Sequence, residues 1–437
     1  MSDSTAEQRE QVIVCKWNRE LIATMLEHAS EVYVILDGFD IEHMSPDWEL
    51  LEGAAKVYRI GEFDSLEEIA SVAADLSLRG VSGDRIVSFT EFSQYGAGYL
   101  STLLGNSDDP LRHVSYRDKR LMKRRVAAAG VPTARWASLP DRADRGDLAA
   151  VAERLEFPLV VKPVAGAGTI GTITVRSAEE LEPSLESLGP LPYFKSRQLI
   201  AEEFVTGREL HVDALWNGDE PLFLVVSAYF VNVLSVLEGL KESTADTGTP
   251  LDGSYVISPE DAPDLYKRVL DLHRDVNRAF GIDRAVTHLE LFERPDGELV
   301  FSEIATRLGG AYVGSMLTEV LGQDIFEVVG EGLVRGALPK SRGEHRYVGA
   351  VHLRPAAPGR ITSLPSEEEM LAVDGVLQAQ RLAQVGSVVD FSHPSEWCVF
   401  VILGADTAEE FDALVARVSR ELVVGVEAVE SEGSPHP

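Results

Sequence analysis

Lys162 closes an apolar run and opens a glycine-rich turn: Phe157-Pro-Leu-Val-Val-Lys162-Pro-Val-Ala-Gly166-Ala-Gly168-Thr-Ile-Gly171-Thr-Ile-Thr-Val. Apolar and β-branched residues on both sides read as two strands joined by a flexible flap. Glycines let a backbone fold over an anion with its N–H groups aimed at the oxygens, and lysine adds a compact positive charge. The chemistry to expect is binding of a nucleotide phosphate. Gly166, Gly168 and Gly171 also match G-x-G-x-x-G, but that dinucleotide fingerprint needs a helix after the loop. Thr172-Ile-Thr-Val is a strand pattern, so the context rejects it. Taken alone, the glycines fit a mobile hairpin turn equally well. His273-Arg274-Asp275 superficially resembles a kinase catalytic loop, yet Phe280 stands where an Asn is needed. Leu265, Val269, Leu272, Val276 and Phe280 instead mark residues 264–280 as an amphipathic helix.

Three more groups can join this chemistry. Residues 199–209 contain Glu202-Glu203-Phe204-Val205-Thr-Gly207-Arg-Glu209, which leaves a strand, turns at a glycine and re-enters a strand. Such a hinge can offer backbone N–H and C=O groups to an adenine edge and a carboxylate to ribose hydroxyls. By itself it reads better as an acidic surface turn. Glu290 and Glu303 stand in two apolar strands around the turn signal Pro295-Asp-Gly297. Two carboxylates facing a triphosphate are the hard oxygen ligands that Mg²⁺ takes, whereas a bare cross-strand pair of like charges is unfavourable. Arg307 follows in Glu303-Ile-Ala-Thr-Arg307-Leu-Gly309-Gly310, ahead of a helix expected at 312–321. Its planar fork suits a carboxylate or a forming acyl phosphate, and the helix N-terminus adds N–H groups.

The elements that must position these groups follow from periodicity. Runs at 12–15, 32–36, 56–60 and 85–89 read as buried strands between helical stretches such as 65–78, an open α/β unit. Its strand ends, Lys16-Trp17-Asn18, Asp37-Gly38 and Thr90-Glu91, are candidate ligand loops, although Asp-Gly is more often a simple turn. Arg117-Asp118-Lys119-Arg120 opens a helix that stops at Gly130-Val-Pro132. After the flap, Ser177 and Glu180 predict a capping box for a helix at 177–188. Strands are expected at 198–205, 209–216 and 222–230, then a polar loop over 237–253, taken as mobile. The hairpin of 285–293 and 298–304 follows, and a composition shift at 335–343 marks a boundary. A last α/β portion starts at 348 and ends on a helix at 408–422, and the tail 430–437 reads as disordered.

At 437 residues there is room for about three ordinary domains. With 45% hydrophobic and 25% charged residues the composition is that of a soluble globular protein. A net charge of −31 disfavours nucleic acid or an anionic membrane as the main partner. Cys15 and Cys398 form neither a disulfide framework nor a zinc motif. The polar start at Met1 has no signal-peptide core and no apolar run reaches the ~20 residues of a membrane span. The expected location is the cytoplasm.

In order, Asp118-Lys119, Gly130-Val-Pro132, the Lys162 flap, the 202–209 hinge, Glu290, Glu303 and Arg307 resemble the ATP-grasp superfamily over roughly residues 10–335. Pro355-Ala-Ala-Pro-Gly359-Arg-Ile361 and the last α/β portion are similar to the C-terminal domain of its L-amino-acid (dipeptide) ligase branch. The fold this implies is α/β. It has an N-terminal open domain at 11–112, a glycine-flap lid with a connecting helix at 113–205, an antiparallel ATP and metal subdomain at 206–340, and a C-terminal α+β domain at 341–430. The resemblance implies that Lys119 and Lys162 contact ATP phosphates, with Gly166, Gly168 and Gly171 forming the flap. It implies that Glu202, Glu203, Phe204 and Val205 hold adenine and Glu209 the ribose. Glu290 and Glu303 would hold Mg²⁺ or Mn²⁺, and Arg307 the substrate carboxylate or acyl phosphate. Ala305 stands where many family members place an Asn metal ligand, a change shared by the amino-acid ligase branch. The 237–259 stretch lacks the acceptor-site signature of a typical dipeptide ligase.

The expected activity is amide formation between a small carboxylate and an amine through an acyl phosphate, releasing ADP and phosphate. Glu91 is a weak candidate for the general base, and a surface or substrate-orienting role suits it better. The alternatives are a carboxylase working through carboxyphosphate and a non-catalytic ATP-binding regulator. A homodimer is the default assembly.

Overall fold

The computed structural model describes residues 10–83, 85–106, 109, 111–140, 144–188, 195–242, 250–391 and 396–429. The start at Met1 and the tail 430–437 lie outside the described residues, as do 243–249 of the expected mobile loop. Strands β1 (Gln11–Cys15), β2 (Glu31–Leu36), β3 (Lys56–Arg59) and β4 (Arg85–Ser88) form a parallel sheet in the order β3-β2-β1-β4. Their unbroken apolar runs reflect burial on both faces. Val12, Val14, Val32 and Val34 pack with Leu21 and Met25 on one side, while Ile13, Tyr33 and Ile35 pack with Ile69 and Leu76 on the other. The first face joins the core of the central sheet through the helix Ile325–Arg335. Gly330 permits that approach, since a Cβ there would lie 2.4 Å from a Thr24 methyl carbon.

The second sheet is antiparallel, in the order β5-β8-β6-β7: β5 (Trp136–Leu139), β6 (Leu159–Pro163), β7 (Ile173–Val175) and β8 (Leu199–Glu203). Alternate residues Leu159, Val161 and Val175 pack on Leu181 and Leu185 of the helix Ala178–Ser187. The glycine flap joins β6 to β7, with Leu159 opposite Val175 and Val161 opposite Ile173. The expected capping box is not formed. Ser177 makes no side-chain cap bond, its hydroxyl serving the Glu179 carboxylate, and the Glu180 carboxylate accepts from the Arg176 N–H at 3.0 Å.

The central sheet has eight strands. They are β9 (Arg208–Asn217), β10 (Glu220–Tyr229), β11 (Asp252–Val256), β12 (Val286–Glu293), β13 (Leu299–Ala305) and β14 (Tyr347–Leu353), joined by two from the C-terminal part. With β15 (Gly359–Ser363), β16 (Val376–Arg381), β17 (Val388–Val389), β18 (Val399–Ala405) and β19 (Gly425–Glu427) numbered in chain order, the sheet runs β13-β12-β9-β10-β11-β14-β18-β16. Strands β17, β15 and β19 make a small separate sheet. Antiparallel pairing of β11 with β14 carries the central sheet across residue 340, so the C-terminal residues extend the layer that bears Glu290 and Glu303. One expectation is corrected: residues 237–242 are helical, within the helix Val233–Glu242. Val236 and Leu240, one turn apart, are both buried there. Among the described residues no helix is long and apolar enough to cross a membrane.

Candidate functional site

Three neighbouring strands carry polar side chains on one face at period two. They are Glu209, His211 and Asp213 on β9, His288 and Glu290 on β12, and Glu303 on β13. Register places Glu290 opposite both His211 and Glu303, and His288 opposite Asp213. A cavity of about 450 Å³ opens over this face, between the central sheet and the β5-β8-β6-β7 sheet with its glycine turn. Lys119, Lys162, Gly166, Gly168, Glu202, Glu203, Phe204, Val205, Glu209, Glu290, Glu303 and Arg307 all line it. Gly171 alone among the expected site residues does not.

The acidic face is met by cations from two other elements. Lys119 caps the site from the first turn of the helix Lys119–Ala128, with Nζ 2.8 Å from Glu303 and donating to the Gly166 C=O at 2.9 Å. Lys162, at the end of β6, lies 3.3 Å from the Glu202 carboxylate. Lys123 reaches the same carboxylate oxygen at 3.3 Å and donates to the Ser302 C=O at 3.0 Å. Burial pushes the Glu303 carboxyl up, but Lys119 and Lys162 outweigh it and hold it at about 2. Glu202 is likewise held below its usual range against burial by Lys123 and Lys162. Burial lowers Lys162, but Glu202, Glu303 and Glu290 more than restore it, so it stays charged. Lys123 was not anticipated; it stands one helical turn from Lys119, and only the approach of β8 brings Glu202 to it.

At the hinge the Glu202 side chain belongs to this ion-pair network. The Glu203 carboxylate turns to Arg135 at 2.8 Å and accepts from the Glu156 N–H. The Glu203 N–H is taken by the Arg135 C=O and the Phe204 N–H by the Pro158 C=O. Val205 keeps an N–H with no hydrogen-bond partner among the described residues. Glu209 accepts from the Val233 N–H at 2.7 Å, and burial, then the charge of Glu290, lifts its carboxyl to about 8. Within the flap, Gly168 and Gly171 take φ of 57° and 71°, the left-handed region that glycine enters without strain.

Behind Glu290 lies a buried support that sequence reasoning missed. Asp213 is 2.9 Å from His288 Nδ1 and 2.8 Å from His211 Nδ1, and it accepts from the Gly309 N–H at 3.1 Å. The far nitrogen of His288 lies 3.5 Å from Glu290. Burial opposes charge on His288, yet Asp213 and Glu290 lift it to about 10. The ligand atoms of His211, Asp213 and His288 fall within 4.8 Å of one another, as a metal cage would need. Asp213 already bridges both imidazoles, so the trio holds Glu290 and the Arg307 loop in place. The alternation Glu209-Leu-His211-Val-Asp213 in an apolar strand was the available signal.

Arg307 reaches the cavity from the loop after β13, where its Nη1 donates to the Leu308 C=O at 2.6 Å and its Nε to Glu91. Arg117 grips the other Glu91 oxygen and donates to the Ala165 C=O at 2.6 Å. Burial raises the Glu91 carboxyl, but Arg307 and Arg117 together bring it below its usual range. A carboxylate so paired is a poor proton acceptor. Glu91 orients Arg307, and the general-base expectation is withdrawn. The other two strand-end loops of the first sheet are structural: Asn18 caps the helix Arg19–His28, and Asp37 forms a capping box for Gly38–His43.

The cavity continues past Tyr229 and Tyr312 to Asp252, Arg354 and Trp397, supplied by β11 and the C-terminal portion. No sequence signal pointed to these three.

Residues 155–315 match the ATP-grasp domain family. The chain is 28% identical over 348 residues to the L-arginine-specific L-amino acid ligase of Bacillus subtilis, covering 79% of this chain and 80% of that protein. It is 25% identical over 304 residues to D-alanine–D-alanine ligase A of Chromobacterium violaceum, covering 67% of this chain and 74% of that one. Its fold matches the crystal structure of an L-amino acid ligase from Bacillus licheniformis with a TM-score of 0.69 at 16% identity, over 96% and 100% of the two chains.

Proposed function

We propose that this chain, an ATP-grasp protein, is an ATP-dependent carboxylate–amine ligase that takes an amino acid as one substrate and works in the cytoplasm. The carrying observation is one cavity in which two lysines from the flap side face two cross-strand carboxylates, with an arginine at its edge. The overall reaction transfers the γ-phosphoryl group of ATP to a carboxylate, and an amine then displaces phosphate from the acyl phosphate.

The residues divide this work by position. Val205 offers its N–H to the adenine edge, and Glu209 faces the ribose. Lys119 and Lys162 neutralise the phosphates, exchanging their present carboxylate partners for phosphate oxygens. The flap closes over the transferring group and keeps water from the acyl phosphate. Arg307, pre-oriented by Glu91, holds the substrate carboxylate and the charge that develops on it.

Glu290 and Glu303 suit Mg²⁺ or Mn²⁺, because their facing like charges need a cation between them and both offer hard oxygen ligands. A metal bound there would supply charge neutralisation across the phosphates. Ala305 and the buried Asp213 support leave these two glutamates as the proposed ligands.

The test is ADP release with Mg²⁺ and ATP against pooled amino acids, other carboxylates and amines, with mass spectrometry of products. ADP that appears only with a carboxylate–amine pair, and a product of the pair's mass minus water, is the expected result. ADP formed with bicarbonate alone would replace this proposal with a carboxylase.

A further inference from the structure

The far end of the cavity holds a carboxylate for which the nucleotide chemistry has no use. Asp252 opens β11 and sits opposite His352 of β14. Arg354 Nη2 lies 2.7 Å from Asp252 Oδ2, and the Trp397 indole N–H donates to that same oxygen at 2.8 Å. Two donors on one oxygen fix the rotation of the carboxylate. Oδ1 has no hydrogen-bond partner among the described residues. The donors are themselves held: Arg354 donates to the Glu396 C=O at 3.0 Å, and Trp397 stacks on His352 with ring centroids 4.1 Å apart. Asp252, Arg354 and Trp397 all line the cavity.

A fixed anionic oxygen in a recess walled by Tyr229, Tyr312 and Trp397 favours a charged N–H donor, because such hydrogen bonds are stronger than neutral ones and strengthen away from bulk water. We infer that Asp252 is a specificity-determining residue whose Oδ1 accepts a hydrogen bond from a cationic nitrogen of the amino-acid substrate, with Arg354 and Trp397 as its positioning residues. The nitrogen is the α-ammonium or a side-chain ammonium or guanidinium group. This rests on the ligase reading above and adds the substrate feature that the site selects.

The experiment compares full-length wild type with Asp252→Asn across every amino acid that supports ADP release in wild type, cationic and neutral alike. A rise in KM of roughly ten- to a hundredfold with kcat within a few-fold is expected, the range for a hydrogen bond to a charged group. A rise confined to arginine- and lysine-like substrates assigns the side-chain nitrogen, and an equal rise for all assigns the α-ammonium. An unchanged KM for every amino acid, or a fall in kcat at constant KM, overturns the inference. If ATP no longer binds Asp252→Asn, the variant is misfolded and wild type alone decides. Its substrate is then compared as an inhibitor with its des-amino analogue and its uncharged-side-chain isostere. One of these must bind at least about tenfold more weakly, and equal binding of both overturns the inference. Absence of amino-acid-dependent ADP release in wild type overturns the ligase reading and this inference together. An unchanged Asp252→Asn profile overturns only the inference.

Discussion

The two ends of the cavity are built by different means. At the nucleotide end most functional groups sit in short, contiguous stretches: the flap after Lys162, the hinge before Glu209, the hairpin of Glu290 and Glu303. The far end is assembled from Asp252, Arg354 and Trp397, the last two 102 and 145 residues from the first along the chain. The nucleotide end is also crowded with opposed charges, three lysines against Glu202 and Glu303. At the far end the Arg354–Asp252 ion pair lies among aromatic rings. The contrast teaches that the proposed nucleotide contacts lie in local motifs, whereas the residues inferred to select the substrate are gathered only by the tertiary fold.

Breaking the nucleotide end should have the largest effect. Lys162→Ala and Glu303→Ala should each lower kcat/KM for ADP formation by at least roughly 10²–10³-fold, measured by coupled ADP release. Full activity in either would sink the assignment of that end. Asp213 sharpens the comparison, because it touches neither end yet supports both Glu290 and the Arg307 loop. Asp213→Asn should reduce apparent Mg²⁺ affinity or activity by about 10–100-fold, the usual weight of a group that orients a metal ligand. Titrating Mg²⁺ at saturating ATP checks this, and an unaltered curve would leave Asp213 as core packing only.

A smaller effect should come from Gly168→Ala, whose φ of 57° costs an L-residue about 1–2 kcal/mol. Nothing lies within 4 Å of the added Cβ, so only the flap backbone is strained. The KM for ATP should rise while melting temperature barely moves.

The smallest effect concerns stability and its dependence on pH. Burial keeps His352, stacked on Trp397 at the far end, neutral down to about 4. Burial keeps His273, beneath β12, neutral down to about 3. In the unfolded chain histidine binds a proton below about 6.5, so across this window the unfolded state carries more protons. Stability therefore falls as pH drops from about 6.5 toward 4.5, by at most about 1.4 kcal/mol per pH unit for each histidine. Replacing His352 or His273 with Gln should flatten the fall in thermal midpoint. An unchanged slope would show that neither histidine is buried neutral in solution.

The helices and strands around the site were legible because apolar periodicity reports burial directly. The apolar residues of 264–280 gave the helix Pro263–Phe280, and the runs at 12–15 and 32–36 gave β1 and β2. Local chemistry was less secure where a polar group had a choice of partner. Ser177 serves Glu179 instead of closing its capping box, and residues 237–242 are helical, with Val236 and Leu240 buried one turn apart among polar neighbours.

By itself the sequence determined the flap, the hinge and the paired glutamates, since strand–turn–strand geometry brings together residues that are already close along the chain. Only the tertiary structure decided which charges meet. It set Lys123 beside Glu202, bound Glu91 between two arginines instead of leaving it a base, and brought Asp252 under Arg354 and Trp397. Each of those contacts depends on strand order, lid placement or a crossing between sheets, and no spacing along the chain encodes a distance between elements that pair out of sequence order.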